Sequence, residues 1–420
     1  MKGAVSYDQN DRTLTPKAMN FVNFPAPDIK PLERLNVYDS LMINAQRWSL
    51  AHAYHRQRQN VHYQSLNQPG IVCGLGITII DPPDSTESRF RDQRWIEIQP
   101  GIAIDVEGNV IIVDEAVDRT YRIAAKPPIA GSITVYVVVS YVEPEAPSYQ
   151  PHSEVLREQF RFDQKTTPPK DHEIELCRIQ LSNNFIQIER PDDVLFPVQN
   201  QLDMSHRLQA QTKPIATAHL AQIKPQSTEA GVSKGQAVTF LARSTSALYP
   251  SLQGIAAPNV LSLQAEAIAP YDLLLLDADH VSELSGTEQD VLSEYLTQGG
   301  MVLIELLDTN EFAIANFQNW IEHSFQTALE SWHELSNDHP VRSHPFLFAA
   351  LPEVDQTSIQ VWCGGGIIFV AGGLSSAWAP DVQGMRSRND IRTAQEFGIN
   401  LLHFAWRRRH LTQLLQPALS

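Results

Sequence analysis

Four residues near the ends of two apolar runs could do chemistry: Asp277, Asp279, His280 and Glu305. Two carboxylates beside an imidazole could move protons or hold a small polar ligand. The segment that carries them, YDLLLLDADHVSELSGTEQDVLSEYLTQGGMVLIEL, reads as one β-loop-α-turn-β unit from Tyr271 to Leu306. Leu273 to Leu276 is a continuous apolar run, as in a strand buried on both faces. Ser285 with Glu288 has the spacing of a capping box, and Gly299-Gly300 stops the helix. Such units place ligands at the carboxyl ends of their strands, where these four residues fall. The same residues also suit solvated strand ends and helix caps. Neither Cys nor Ser stands on a tight elbow after Leu276.

Three other groups have residue types that could do chemistry. His52, His55 and His62 share one stripe of a long helix read over roughly Val37 to Leu66: Leu41, Ala45, Trp48, His52, His55, Gln59, His62, Leu66. Imidazoles so spaced could ligate metal or form a pH-sensitive interface, but no Asp or Glu joins them, so an oligomer interface through Leu41, Trp48 and the histidines is the reading kept. A second set, Ile43, Leu50, Tyr54 and Val61, lies nearly opposite, and a helix apolar on two sides needs two partners. Gly70-Ile-Val-Cys-Gly-Leu-Gly lacks the strand-before, helix-after context of a dinucleotide loop. Its glycines read as structural, and Cys73 as a small buried apolar residue. Cys363-Gly364-Gly365-Gly366 reads as a hairpin turn, with a Cys363 nucleophile served by His339 or His344 as the enzymatic alternative.

At 420 residues with a formal charge of -16 and a pI near 5.3, two or three domains are expected, and neither nucleic acid nor an anionic membrane surface is a general partner. Arg407-Arg408-Arg409 is a local exception, read as cations near a helix C-terminus or as a docking patch. Three scattered cysteines imply no disulfide framework. No signal-peptide core or membrane-length apolar run is seen, so a cytoplasmic protein is expected, with membrane attachment only through an assembly. No metal or cofactor is expected.

The pattern divides into an arm (1–34), a helix plus mostly antiparallel β domain (35–204), a Gln/Ala/Thr/Lys/Ser-rich linker (205–236), an α/β domain (237–412) and a tail (413–420). In the first domain the expected strands are Gly70 to Ile80, Trp95 to Gln99, Gly101 to Val106, Asn109 to Val113, Ile133 to Val142 and a hairpin of Glu173 to Leu181 with Phe185 to Glu189. In the second they are Ala237 to Leu241, Val260 to Leu263, Leu273 to Leu276, Met301 to Leu306 and Ile367 to Ala371, with helices near 287–298, 311–328 and 389–408. The fold class is multi-domain α+β and α/β, with a doubly wound, flavodoxin-like second domain.

Two resemblances add to this. YDLLLLD, LSGTEQDVLSEYLTQGGMVLIE, HPVRSHPFLF and EFGINLLHFAWRRRH resemble bacterial glutamine-amidotransferase-like domains of unknown function. The amidotransferase catalytic Cys is replaced here by Ala278-Asp279-His280, so the resemblance implies the fold and not the activity. LNVYDSLMINAQRWSLAHAYHRQRQNVHYQSLNQPGIVCGLGI, WIEIQPGIAIDVEGNVIIV and ELCRIQL resemble proteins encoded with contractile injection systems, the phage-tail-like machines, in their baseplate and tail-fibre shoulder domains. The combination resembles cyanobacterial examples. It implies a non-enzymatic structural or docking component, homo-oligomeric and bound to other injection-system proteins near baseplate or sheath. The alternatives are a ligand-binding or regulatory module with a degenerate amidotransferase-like pocket, and an uncharacterised hydrolase or amidotransferase.

Overall fold

The computed structural model describes residues 31–143, 158–183, 187–224, 230–355, 357–381 and 384–415. They form two compact units that divide between Lys213 and Pro214. Residues 1–30 of the expected arm (1–34), linker residues 225–229 and residues 416–420 of the tail lie outside the described residues.

The first unit opens with helix α1, Ala45–Leu66. It starts later than the apolar stripe suggested. Asp39-Ser40 makes a turn with Ser40 in the left-handed region (φ 68°), and Asn44 caps the helix by accepting the Arg47 N–H at 2.9 Å. Leu41 and Ile43 therefore precede the helix. The helix is Ala-, Gln- and Arg-rich and holds neither Gly nor Pro, which suits its length.

The β strands after it are antiparallel: β1 (Gly70–Gly74), β2 (Ile77–Ile80), β3 (Trp95–Ile98), β4 (Gly101–Ile104), β5 (Val110–Val113), β6 (Thr120–Arg122), β7 (Ser132–Val142), β8 (Gln159–Lys165), β9 (Glu173–Ser182) and β10 (Leu202–Asp203). They make sheets β1-β4-β5, β2-β3-β6 and β10-β9-β7-β8 around one core that includes Ile71, Leu75, Ile96, Val137, Leu176 and Ile179. The single strand expected over 70–80 is two strands in different sheets. Gly74 and Leu75, both at positive φ (64° and 54°), turn the chain between them. The excursion expected over 144–169 contains β8. The hairpin expected between 173 and 189 does not form as drawn: β9 pairs instead with β7 and with β10, and Phe185 lies outside the described residues.

The second unit holds a seven-stranded sheet. Its strands are β11 (Ala216–Gln222), β12 (Leu252–Ala256), β13 (Leu273–Asp277), β14 (Met301–Leu306), β15 (Glu330–Ser331), β16 (Gln360–Gly364) and β17 (Ile367–Ala371), in the order β12-β11-β13-β14-β17-β16-β15. Pairing is parallel from β12 to β17, and β16 is antiparallel to both its neighbours. Helices α2 (Ala230–Leu248), α3 (Ala278–Ser282), α4 (Gly286–Thr297), α5 (Glu311–Phe325) and α6 (Arg388–Leu415) complete the unit.

Three expectations are corrected here. The stretch read as a linker contains β11, the second strand from one edge of the sheet. Its sequence, ATAHLAQ, has small and polar residues that hide it among loop-like composition. Ala237 to Leu241, read as a strand, lies inside α2. Ala237, Val238, Leu241, Ala242 and Thr245 are buried at helical spacing, which outweighs the β-branched character of AVTFL. Val260 to Leu263 forms no ladder, only one bridge from Leu261 to Ile223. The capping box is formed as expected: Ser285 N–H donates to Glu288 Oε2 at 3.0 Å, and Glu288 N–H donates to Ser285 Oγ at 3.4 Å. No helix among the described residues is long and apolar enough to cross a membrane.

Candidate functional site

The order of the parallel strands reverses between β11 and β13, so the crevice at their carboxyl ends is where this architecture admits a ligand. Side chains alternate across a sheet. Ala218, Leu220, Leu273, Leu275, Met301 and Leu303 face the core that α2 and α6 supply. By that alternation Gln222, Asp277 and Glu305 lie on the same face, at the carboxyl ends of three adjacent strands. Asp277 and Glu305 are cross-strand partners, and Gln222 pairs with Leu275.

The four residues singled out from the sequence differ in exposure and in their partners. Glu305 is 1% exposed, and its carboxylate accepts the Ser375 N–H at 2.6 Å and the Ser375 hydroxyl. It ties the turn after β17 to the sheet. Asp277 ends β13 at intermediate exposure, and Asp279 is exposed. His280 is buried on α3, with Nδ1 lacking a hydrogen-bond partner. A residue the sequence reading missed completes the row. Gln222 is 4% exposed, and neither its amide oxygen nor its amide nitrogen has a partner. It is the one polar residue in LAQI, a signal readable only once β11 is recognised as a strand.

Cys363 lies elsewhere, at the β16–β17 hairpin, in an open cleft of about 420 Å³ that Glu330, His339, Phe404 and Arg408 also line. The three glycines make the hairpin turn as expected, with Gly365 and Gly366 at positive φ. Burial, assisted by the Glu330 carboxylate, pushes the Cys363 thiol up to about 12. His339 Nδ1 accepts the Val341 N–H at 3.3 Å, and burial holds its pKa below the ordinary imidazole value. The pair shares a cleft, but it is not a thiolate–imidazolium pair.

Arg408 and Arg409 stand mid-helix in α6 rather than at its end. Arg408 donates to the carbonyls of Leu296 (2.9 Å), Gly365 (3.3 Å) and Gly300, closing the carboxyl end of α4. Arg409 donates to the carbonyls of Tyr271 and Ala269. Only Arg407 is exposed. His52, His55 and His62 are exposed on α1, each against an aromatic neighbour, as in the edge-on pair of Trp48 and His52 at 5.3 Å. Among the described residues no group of three His, Cys, Asp or Glu side chains could hold a metal ion. Cys73, expected to be buried, is exposed on β1. The glycines around it are needed for close approach: a Cβ at Gly74 would lie 2.1 Å from the Pro100 carbonyl oxygen.

Residues 219–406 match the family described as Domain of unknown function (DUF4159), somewhat less than half of the chain. No curated protein matches. Similar solved structures include a chain of the baseplate complex from the type VI secretion system (TM-score 0.25, 11% identity, 36% of this chain and 56% of that one). Another is a putative ThuA-like protein from Bacteroides uniformis (TM-score 0.26, 12% identity, 46% and 91%). A third is the mmIFT52 N-terminal domain (TM-score 0.25, 10% identity, 44% and 97%). The chain thus spans little more than half the length of the baseplate chain.

With its pKa raised, the Cys363 thiol stays protonated well above neutral pH and ionises only as pH approaches 12. Alkylation of the native protein at pH 7 to 8 is therefore expected at Cys73 and not at Cys363 or the buried Cys177, both of which should react after denaturation. Rapid labelling of native Cys363, followed by mass spectrometry, would restore the nucleophile reading.

Proposed function

We propose that this chain is a non-enzymatic structural and docking component of a contractile injection system or similar phage-tail-like assembly, cytoplasmic, self-associating through α1, and membrane-attached only through that assembly. The observation that carries the reading is α1 itself. None of its 22 residues is buried, and Trp48 is 55% exposed. Its contacts with its own unit include polar ones: Asn60 Nδ2 donates to Asn109 Oδ1 at 2.9 Å, Gln64 Nε2 donates to the Glu107 carbonyl at 2.6 Å, and Arg56 pairs with Glu143 at 2.6 Å. Residues such as Val61 and Tyr63 are only half-buried, and a long helix with no fully buried residue in its own unit gains from a partner that covers it. The hairpin that receives it is the PGIAIDVEGNVIIV phrase on which the resemblance to injection-system proteins rests. Asp105 organises that turn, accepting the N–H groups of Glu107 (2.9 Å) and Asn109 (2.8 Å), and Gly108 at φ 81° passes so close to α1 that a Cβ would lie 2.4 Å from the Asn60 carbonyl oxygen. In the second unit the parallel strands run 2-1-3-4-5 in chain order, which supports the flavodoxin-like reading. Ala278-Asp279-His280 stands where the amidotransferase resemblance would need its nucleophile.

The second reading, a module for a small polar ligand at the β11–β13 crevice, is favoured by Gln222. An unpaired buried amide costs stability, about 1–3 kcal/mol. Gln222→Leu should therefore stabilise the free protein by that order in urea unfolding. On the ligand reading it should also abolish any thermal shift given by nucleotides, amino acids or divalent cations, which bind only the folded state. No shift of the wild-type protein with any of these classes removes the ligand reading.

For the leading reading, purified particles should carry the chain with sheath and baseplate proteins through a density gradient. Trp48→Glu with Leu50→Glu should release it and abolish self-association, with both units still folded. A chain that never co-sediments with those proteins contradicts the proposal.

A further inference from the structure

Single exposed apolar side chains are ordinary on a protein surface, but a contiguous group is not. In the first unit Val194, Leu195, Phe196 and Val198 are between 59% and 75% exposed, four large apolar residues within five positions. They crown a loop whose ends are tied together. The Glu189 N–H donates to the Asn200 carbonyl at 3.0 Å, and the Leu202 N–H donates to the Glu189 carbonyl at 3.1 Å. This is the closed geometry of an Ω-loop, a form often used for binding.

The loop is built to hold its shape with the apolar side out. At its base Asn200 takes a left-handed conformation (φ 66°), accepts the Ser182 N–H at 2.9 Å and donates to the Ser182 hydroxyl at 2.9 Å. At its tip the Asp193 carboxylate accepts the Leu195 N–H at 2.9 Å, and the Phe196 N–H donates to the Asp193 carbonyl at 3.1 Å. The Val198 N–H donates to Gln201 Oε1 at 3.0 Å. An element already fixed in its presented form loses little entropy on docking.

The surroundings choose the partner. Glu189, Asp192 and Asp193 are exposed beside the apolar tip, against the single cation Arg190. With a formal charge of -16 on the chain, this rim repels an anionic lipid surface or a nucleic acid. It complements a protein groove that is apolar in its floor and lined with Lys or Arg at its edge. We propose that the loop 189–200 is a docking element that inserts Leu195 and Phe196 into such a basic-rimmed apolar groove on a partner protein. The proposal rests on the docking reading only in requiring a protein partner. A chain absent from sheath particles but cross-linked through this loop would separate the two.

The test uses the full chain in the cells that make it, with p-benzoylphenylalanine in place of Leu195. A matched control carries it in place of Ile129, a fully exposed apolar residue with no such neighbours. After irradiation, the 195 probe should join one partner protein at apolar residues that have Lys or Arg beside them, and the 129 probe should not. Glu189→Lys with Asp192→Lys, which leaves the Asp193 and Asn200 anchors intact, should cut that adduct about tenfold or more while the melting temperature stays unchanged. Vesicles of phosphatidylcholine and phosphatidylglycerol should not carry the purified chain in flotation. Adducts to lipid, to a second copy of this chain or to an acidic or uncharged groove, a yield no higher than at position 129, or flotation with the vesicles would each overturn the proposal.

Discussion

A parallel sheet has no face it can show to water, and the second unit is arranged around that constraint. Leu273, Leu274, Leu275 and Leu276 of β13 are all buried because successive side chains enter two different cores. One core is supplied by α2 and α6, the other by α4 and α5. In β13, β14 and β17, closed on both faces, polar residues are confined to the strand ends. At the amino ends α6 spends its arginines on carbonyl groups: Arg408 on those of Leu296, Gly300 and Gly365, and Arg409 on those of Ala269 and Tyr271. At the carboxyl ends Glu305 is consumed by Ser375, and Gln222 stands buried without a partner.

The first unit solves the opposite problem. Its antiparallel sheets close on a single core and leave polar faces outward, so they need no covering helix. Helix α1 is held in part by amide groups and by the Arg56–Glu143 ion pair, and an exposed pair of this kind contributes little to stability. The same unit presents the apolar tip of the 189–200 loop on a hydrogen-bonded base.

Much of the second unit was legible because its signals are local. The Ser285–Glu288 box, the Gly299-Gly300 stop and the unbroken apolar runs of β13, β14 and β17 each state their structure within a few residues. What escaped depended on neighbours. Strand β11 is built of Ala, Thr, His and Gln, and only its place between β12 and β13 makes it a strand. AVTFL has the residues of a strand and the burial of a helix. The start of α1 was misplaced because the apolar stripe continues through the turn at Asp39-Ser40 that prevents the helix. For the site, residue type pointed to the carboxyl edge of the sheet but not to the part each residue plays there. Asp279 turns to solvent, Glu305 serves as an anchor, and Gln222 was invisible while its strand was. The run Val194 to Val198 has the composition of a core segment, so only the fold reveals that it faces outward.

On the proposed function, α1 is completed by a partner rather than by its own chain. Amide hydrogen exchange across residues 45–66, compared between the isolated protein and the assembled particle, addresses this directly. Fast exchange is expected along the Trp48 half of the helix in isolation, with strong protection of the same amides in the particle. Equal exchange in the two states, or full protection in the isolated monomer, would contradict it.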